Sequence, residues 1–251
     1  MAQLMRTSNP TLNDKAFRGE GVAFGQEAMT ISGTVNKTGI LLLLALATSA
    51  WTWNMFMNSR TAESVGGLAL LGVIGGFIMA IVTVFKKEWS PVTAPLYALL
   101  EGLVLGSVSA IFELRWPGLP IQAVSLTFGV LVVLLLAYRS RLIPVTDKFR
   151  IGIVAATGGI ALFYVAQFIL GFFGIHFTAV NSSSPIGIGF SVLVVIIASL
   201  NLVLDFDFIE RGAQAGSPKY MEWYGAFGLM VTLIWLYFEM LRLLSKLRDR
   251  R

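Results

Sequence analysis

Carboxylates of this sequence lie inside or at the end of long apolar runs, where an acid can hold a cation or a proton. Glu101 is in the middle of one run, and Asp205 and Asp207 are near the end of another. A charged side chain at the centre of a bilayer costs at least about 2.5–3.5 kcal/mol on insertion scales. Such acids usually face a partner or a water-filled cavity, so these three residues are candidates for an ion pathway or for pH sensing.

Asp205 is the strongest of these candidates. Asn201 precedes it by four residues, which places both side chains on one face of a helix. Asp207 is two residues further on and faces another direction, and we expect water and salt to screen it at the wet end of the helix. For Glu101 an alternative stays open, namely a neutral glutamic acid hydrogen-bonded to another helix. Glu239 is expected to pair with Arg242, three residues on.

The usual catalytic and metal-binding patterns are absent from the sequence. It contains no cysteine and one histidine, His176, which excludes disulfides, thiolate sites and any metal site with several histidines. It has no HExxH and no P-loop. We predict that the protein is not an enzyme and needs no cofactor, whereas the presence of a metal is left open.

The elements that carry these acids are long apolar stretches. The AVILMFWYC fraction is 56% and the charged fraction is 13%, against roughly 25% charged residues in soluble domains. Each stretch is long enough to cross about 30 Å of hydrocarbon as a helix. The sequence thus predicts an all-α polytopic membrane protein, a seven-transmembrane-helix bundle in one domain over 37–247. A polar cytoplasmic tail over 1–36 and a basic tail over 248–251 flank this domain. The predicted spans are 38–58, 66–85, 93–112, 120–138, 152–174, 186–206 and 223–244.

Basic residues near the span ends predict the orientation. Twelve lie on the side of the N-terminus and only Arg60 and Arg115 lie in the opposite loops, which places the N-terminus in the cytoplasm. The basic C-terminal tail disagrees, because seven spans put it outside. The alternative is that one segment is re-entrant. We favour seven spans, since late positive charges have less control over topology.

Paired glycines predict close helix packing. Gly72 and Gly76 have GxxxG spacing, as do Gly102 and Gly106, and further glycines occur in the fifth and sixth spans. Small residues let helix backbones approach closely in lipid. We expect the glycines of all these spans to lie at helix contacts.

Three pieces of the sequence carry a resemblance to a known family. They are 96–106, which contains Glu101, 202–210, which contains Asp205, and 233–244, which contains Glu239 and Arg242. In order and spacing they resemble the third, sixth and seventh helices of the Bax inhibitor family, the transmembrane Bax-inhibitor-motif proteins, and in particular its bacterial branch. The resemblance covers about residues 36–247.

The resemblance implies six helices around a central seventh and a pH-sensitive passage of calcium. In some members two aspartates share a proton, and two close carboxylates cannot both ionise cheaply. Asp205 matches the aspartate of the sixth helix. The matching position of the seventh helix is Thr232, so this chain lacks the second acid of the pair.

Two function classes follow, and both stay open. The first is a pH-influenced leak channel for calcium or another cation in a bacterial inner membrane, with Asp205 on the pathway and Glu101, Asn201, Thr232 and Asp207 as further candidates. The second is a non-conducting regulator that binds another membrane protein, such as a membrane-bound protease. The expected partners are the lipid bilayer, calcium and another membrane protein, and no nucleic acid.

Overall fold

The computed structural model describes residues 27–61, 63–175 and 177–250, and these form a bundle of long helices. Seven of the helices are long and apolar enough to cross a membrane, which confirms the predicted fold class. Residues 1–26 of the predicted tail and His176 lie outside the described residues. A 3₁₀ turn, Lys87–Trp89, leads into the third helix. The helices are α1 Ile31–Ser59, α2 Glu63–Phe85, α3 Ser90–Arg115, α4 Leu119–Arg139, α5 Asp147–Phe172, the short α6 Thr178–Asn181, α7 Pro185–Gln214 and α8 Met221–Asp249.

Most of these helices extend beyond the predicted spans because capped and charged turns continue the helix past its apolar part. The Thr30 hydroxyl caps α1 by accepting from the Gly33 N–H at 2.9 Å. Residues 31–36, which were assigned to the tail, are therefore helical. Thr146 and Ser184 cap α5 and α7 in the same way. The last helix reaches Asp249 and so includes the first two residues of the predicted basic tail, while Arg251 lies outside the described residues.

The last helix is the central one. It packs against α1, α3, α4 and α7, while α2 packs on α1 and α3, and α5 packs on α7. In its most apolar window 61% of the residues are buried, against 6% for α5. Met230, Leu236 and Leu241 of α8 are almost completely enclosed. The chain therefore places its last segment at the centre of the bundle, as the family resemblance implied.

The GxxxG glycines of α2 and α3 lie at helix contacts, as predicted. A Cβ on Gly72 would lie 2.6 Å from the Leu100 carbonyl oxygen, and one on Gly106 would meet Ser49 and Thr52 of α1. The prediction was wrong for α5. Among the described residues, no atom outside the local helix lies within 4 Å of where a Cβ would stand on Gly158, Gly159 or Gly171, and the same holds for Gly189 of α7.

Candidate ion-binding site and polar track

Asp205 lies at the contact between α7 and α8. The Thr232 side chain is hydrogen-bonded to its carboxylate, and Gly228, one turn earlier on α8, leaves space beside Oδ1. Among the described residues, the Oδ2 atom is buried and has no hydrogen-bond partner. The structure thus brings together Asp205 and Thr232, the two positions that the sequence comparison paired. A carboxylate with an unsatisfied buried oxygen is suited to take up a cation or a proton.

Asn201 does not join this pair in the way the helix spacing suggested. Its Nδ2 donates to the Thr157 hydroxyl of α5 at 2.8 Å and to the Ile197 carbonyl at 2.8 Å. The amide nitrogen of Asn201 is therefore occupied by a contact between α5 and α7. Asn201 thus forms a separate polar contact between α5 and α7 and is not a hydrogen-bond donor to Asp205.

Asp207 is not the screened, wet residue that we expected. It is only 8% exposed, and its carboxylate pairs with Arg150 of α5 at 2.8 Å and with Arg211 at 2.9 Å. The sequence reading missed Arg150 because it lies 57 residues away. Asp207 ties the end of α7 to the start of α5.

Glu101 has surroundings of its own on another side of the bundle. It is hydrogen-bonded to Tyr97, and its Oε1 would lie 2.8 Å from a Cβ on Gly76 of α2. Its neighbours are thus residues of α2 and α3, whereas those of Asp205 belong to α7 and α8. Tyr97 lies one turn back on the same helix, so within the described residues the hydrogen bond of Glu101 is not the bond to another helix that the structural alternative expected.

Further polar contacts continue from Asp205 along α5, α7 and α8. The predicted pair of Glu239 and Arg242 is confirmed at 3.2 Å, and Tyr164 of α5 donates to Glu239 at 2.9 Å. One turn beyond Arg242, Lys246 donates to the Val180 and Gly187 carbonyls and to the Ser191 hydroxyl.

Taken in order along these antiparallel helices, the contacts form one series, which we call the polar track. Its members are Arg150–Asp207–Arg211, Asp205–Thr232, Asn201–Thr157, Tyr164–Glu239–Arg242 and Lys246–Ser191.

One signal for the track was available in the sequence. Thr232, Glu239 and Lys246 are spaced by seven residues, which places them on one face of α8. Lys246 lies two residues beyond the last predicted span, 223–244, yet it is only 5% exposed. Tyr164 of α5 carries no such signal, since its role depends on which helix lies beside it.

Glu222, at the start of α8, was also missed because it lies one residue before the predicted span. Its side chain is completely buried and pairs with Lys37 of α1. It also accepts from the Thr30 N–H and hydroxyl, both at 2.8 Å. The hydrogen bond with Glu222 raises the pKa of the Lys219 ammonium, which lies just outside the helix. Glu222 is a structural junction between α1 and α8.

These observations define a class, a helical membrane protein whose central last helix carries a polar face. The described residues contain no group of three or more acidic, histidine or cysteine side chains able to hold a metal ion. The chain belongs to the Bax inhibitor 1 like family, whose model matches residues 9–249. The match confirms the family resemblance, while membership of the bacterial branch stays a prediction. No curated protein and no solved structure matches the chain.

Proposed function

We propose that this protein is a leak channel for cations, calcium among them, in which Asp205 controls passage along the polar track. The observation that carries the proposal is the buried Oδ2 of Asp205, which has no hydrogen-bond partner among the described residues. In this proposal the protein lies in a bacterial inner membrane with its N-terminus in the cytoplasm, and it performs no catalysis.

The distribution of charges on the track supports a role for Asp205 with cations. Arg150 and Arg211 pair with Asp207, and Arg242 pairs with Glu239. Lys246 is held by carbonyl oxygens and a hydroxyl. Within the described residues, Asp205 is the carboxylate of the track that has no basic partner, so it is the point at which a passing cation meets uncompensated negative charge.

The packing of α5 supports the same proposal. This helix lines the track with Thr157 and Tyr164, yet it is the least buried of the seven long helices. Small displacements of a lightly packed helix open polar surface at low energetic cost, whereas a close-packed interface resists them. We therefore place the opening of the path at the contact of α5 with α7 and α8.

The test is calcium flux into liposomes that contain the purified protein. We expect Asp205→Asn to change flux at least about fivefold, because it removes the uncompensated charge. Glu101→Gln is the matched control, a carboxyl-to-amide change outside the track, and should leave flux within about twofold. With Thr232 in place of a second acid, no carboxylate pair shares a proton, so the pH dependence of flux should be no steeper than the titration of a single carboxyl group.

Asp207→Asn sharpens the test. This change leaves Arg150 and Arg211 without their common partner, so its unfolding temperature must be measured beside its flux. Equal effects of Asp205→Asn and Asp207→Asn on flux, in equally stable proteins, would contradict the special role of Asp205. Absence of flux from folded wild-type protein would contradict conduction and favour the second class, a non-conducting regulator of another membrane protein.

A further inference from the structure

A side cavity opens beside the polar track near the end of the bundle at which α5 ends and α7 begins. Its volume is ≈ 460 Å³, within the range of about 300–1,000 Å³ that is typical of ligand pockets. It lies between the C-terminal part of α5, the short helix α6 and one side chain of α8. The residues that line it include Tyr164, Gln167, Phe168, Phe177, Asn181 and Arg242.

The polar wall of this cavity is rich in hydrogen-bond donors. Within the described part of the chain, the Nε2 atom of Gln167 is buried and has no partner. Arg242 keeps part of its guanidinium exposed while one nitrogen contacts Glu239 and Tyr164. The hydroxyl hydrogen of Tyr164 is already committed to Glu239. Donors that remain for a ligand therefore come from Gln167 and Arg242, and donors of this kind select an acceptor such as a phosphate.

The local charge favours an anion. Arg242 and Lys246 are positive and Glu239 is negative, which leaves one positive charge in excess around the cavity. Lys246 is 5% exposed and lies one turn beyond Arg242. At this low exposure its field is poorly screened by water. An anion in the cavity would be attracted by both cations.

The apolar wall of the cavity indicates that a ligand enters from the lipid rather than from water. Phe168 is 70% exposed and Phe172, one turn on, is 76% exposed, and both belong to the membrane-spanning helix α5. Gln167 lies five residues before the end of α5, which is about 7.5 Å along the helix axis. A ligand that reaches Gln167 beside these exposed phenylalanines therefore enters from the lipid side of α5.

We infer that this cavity is a binding site for the phosphate headgroup of an anionic phospholipid, with Gln167 and Arg242 as donors and the phenylalanines against the acyl chains. Arg242 also pairs with Glu239, so the bound lipid lies next to the polar track. The inference does not depend on conduction through Asp205, and its test uses binding alone.

The experiment measures lipid binding to the purified full-length protein in detergent by native mass spectrometry. We expect short-chain phosphatidylglycerol to bind more tightly than phosphatidylcholine with the same chains. Gln167→Leu should weaken binding of phosphatidylglycerol about tenfold, because a hydrogen bond to a charged group is lost. Gln167→Glu should weaken it further by repulsion. Asn58→Leu, an amide-to-leucine change at the same end of the bundle and outside the cavity, should have no effect.

A free anion is distinguished from a lipid with glycerol 3-phosphate. If this soluble phosphate binds as tightly as phosphatidylglycerol and loses affinity in Gln167→Leu, the lipid assignment is overturned. Equal binding of the two phospholipids, or equal binding by wild-type protein and both Gln167 variants, would overturn the site itself. The unfolding temperatures of the variants show that each comparison is made on folded protein.

Discussion

The two sides of the central helix α8 are built on different principles. On one side, α1, α2 and α3 are in close contact, and glycines such as Gly102 and Gly106 bring backbones together. On the other side, α5 makes contact mainly with α7 and reaches α8 through polar side chains such as Tyr164. Glycines are present on both sides, but those of the GxxxG pairs in α2 and α3 are covered by another helix, whereas Gly158, Gly159 and Gly171 of α5 meet no described atom within 4 Å.

This difference separates the tasks of stability and function. Where helix backbones are in contact, a small increase in side-chain volume lowers stability, since the close-packed interior has no space for it. Where helices meet through polar side chains, water or an ion can replace a lost contact. We expect substitutions in the compact side to affect the free energy of unfolding most, and those on the α5 side to affect ion passage.

The largest expected loss of stability comes from the junction of α1 with α8. Glu222→Gln removes the charge that compensates the partly buried Lys37. Breaking a buried ion pair in this way typically costs about 3–5 kcal/mol. Thermal unfolding in detergent should therefore show a marked fall in melting temperature. Glu27→Gln, which removes the other and well exposed partner of Lys219, is the control and should change it little.

A smaller effect is expected from a single methyl group between α1 and α3. Gly106→Ala places a Cβ against Ser49 and Thr52, and overpacking of this kind costs about 1–3 kcal/mol. Gly158→Ala makes the same chemical change on α5, where the space is open, and should be neutral or stabilising through helix propensity. Equal melting temperatures for the two variants would contradict the difference in packing between the α1–α3 side and the α5 side.

The smallest effects concern two tyrosine hydroxyls. Tyr237→Phe removes a buried contact of 2.6 Å with Ser109 between α3 and α8, and we expect a loss of about 1 kcal/mol. Tyr164→Phe leaves Glu239 still paired with Arg242, so its loss should be about half as large. A greater loss for Tyr164→Phe would show that α5 contributes more to stability than its burial suggests.

The sequence predicted the seven spans because apolar length is a local property. It also paired Asp205 with Thr232, since both positions belong to a recognisable family pattern. The partners of Asp207 and Glu222 were missed for one reason. A charged residue near a helix end is normally predicted to be exposed. Asp207 and Glu222 are buried because of partners far away in the sequence, such as Arg150 and Lys37.

The central position of α8 has a consequence for biosynthesis. Because α8 is the last segment of the bundle to leave the ribosome, its neighbours must enter the membrane before the helix that they surround exists. At translation rates of about 5–20 residues per second, Asp205 waits a few seconds for Thr232 to be synthesised and longer for α8 to insert. The nascent bundle therefore passes through an interval in which Asp205 and Ser191 face an unfilled centre. A chain that stops before α8 would leave those polar surfaces exposed, as a target for membrane quality control.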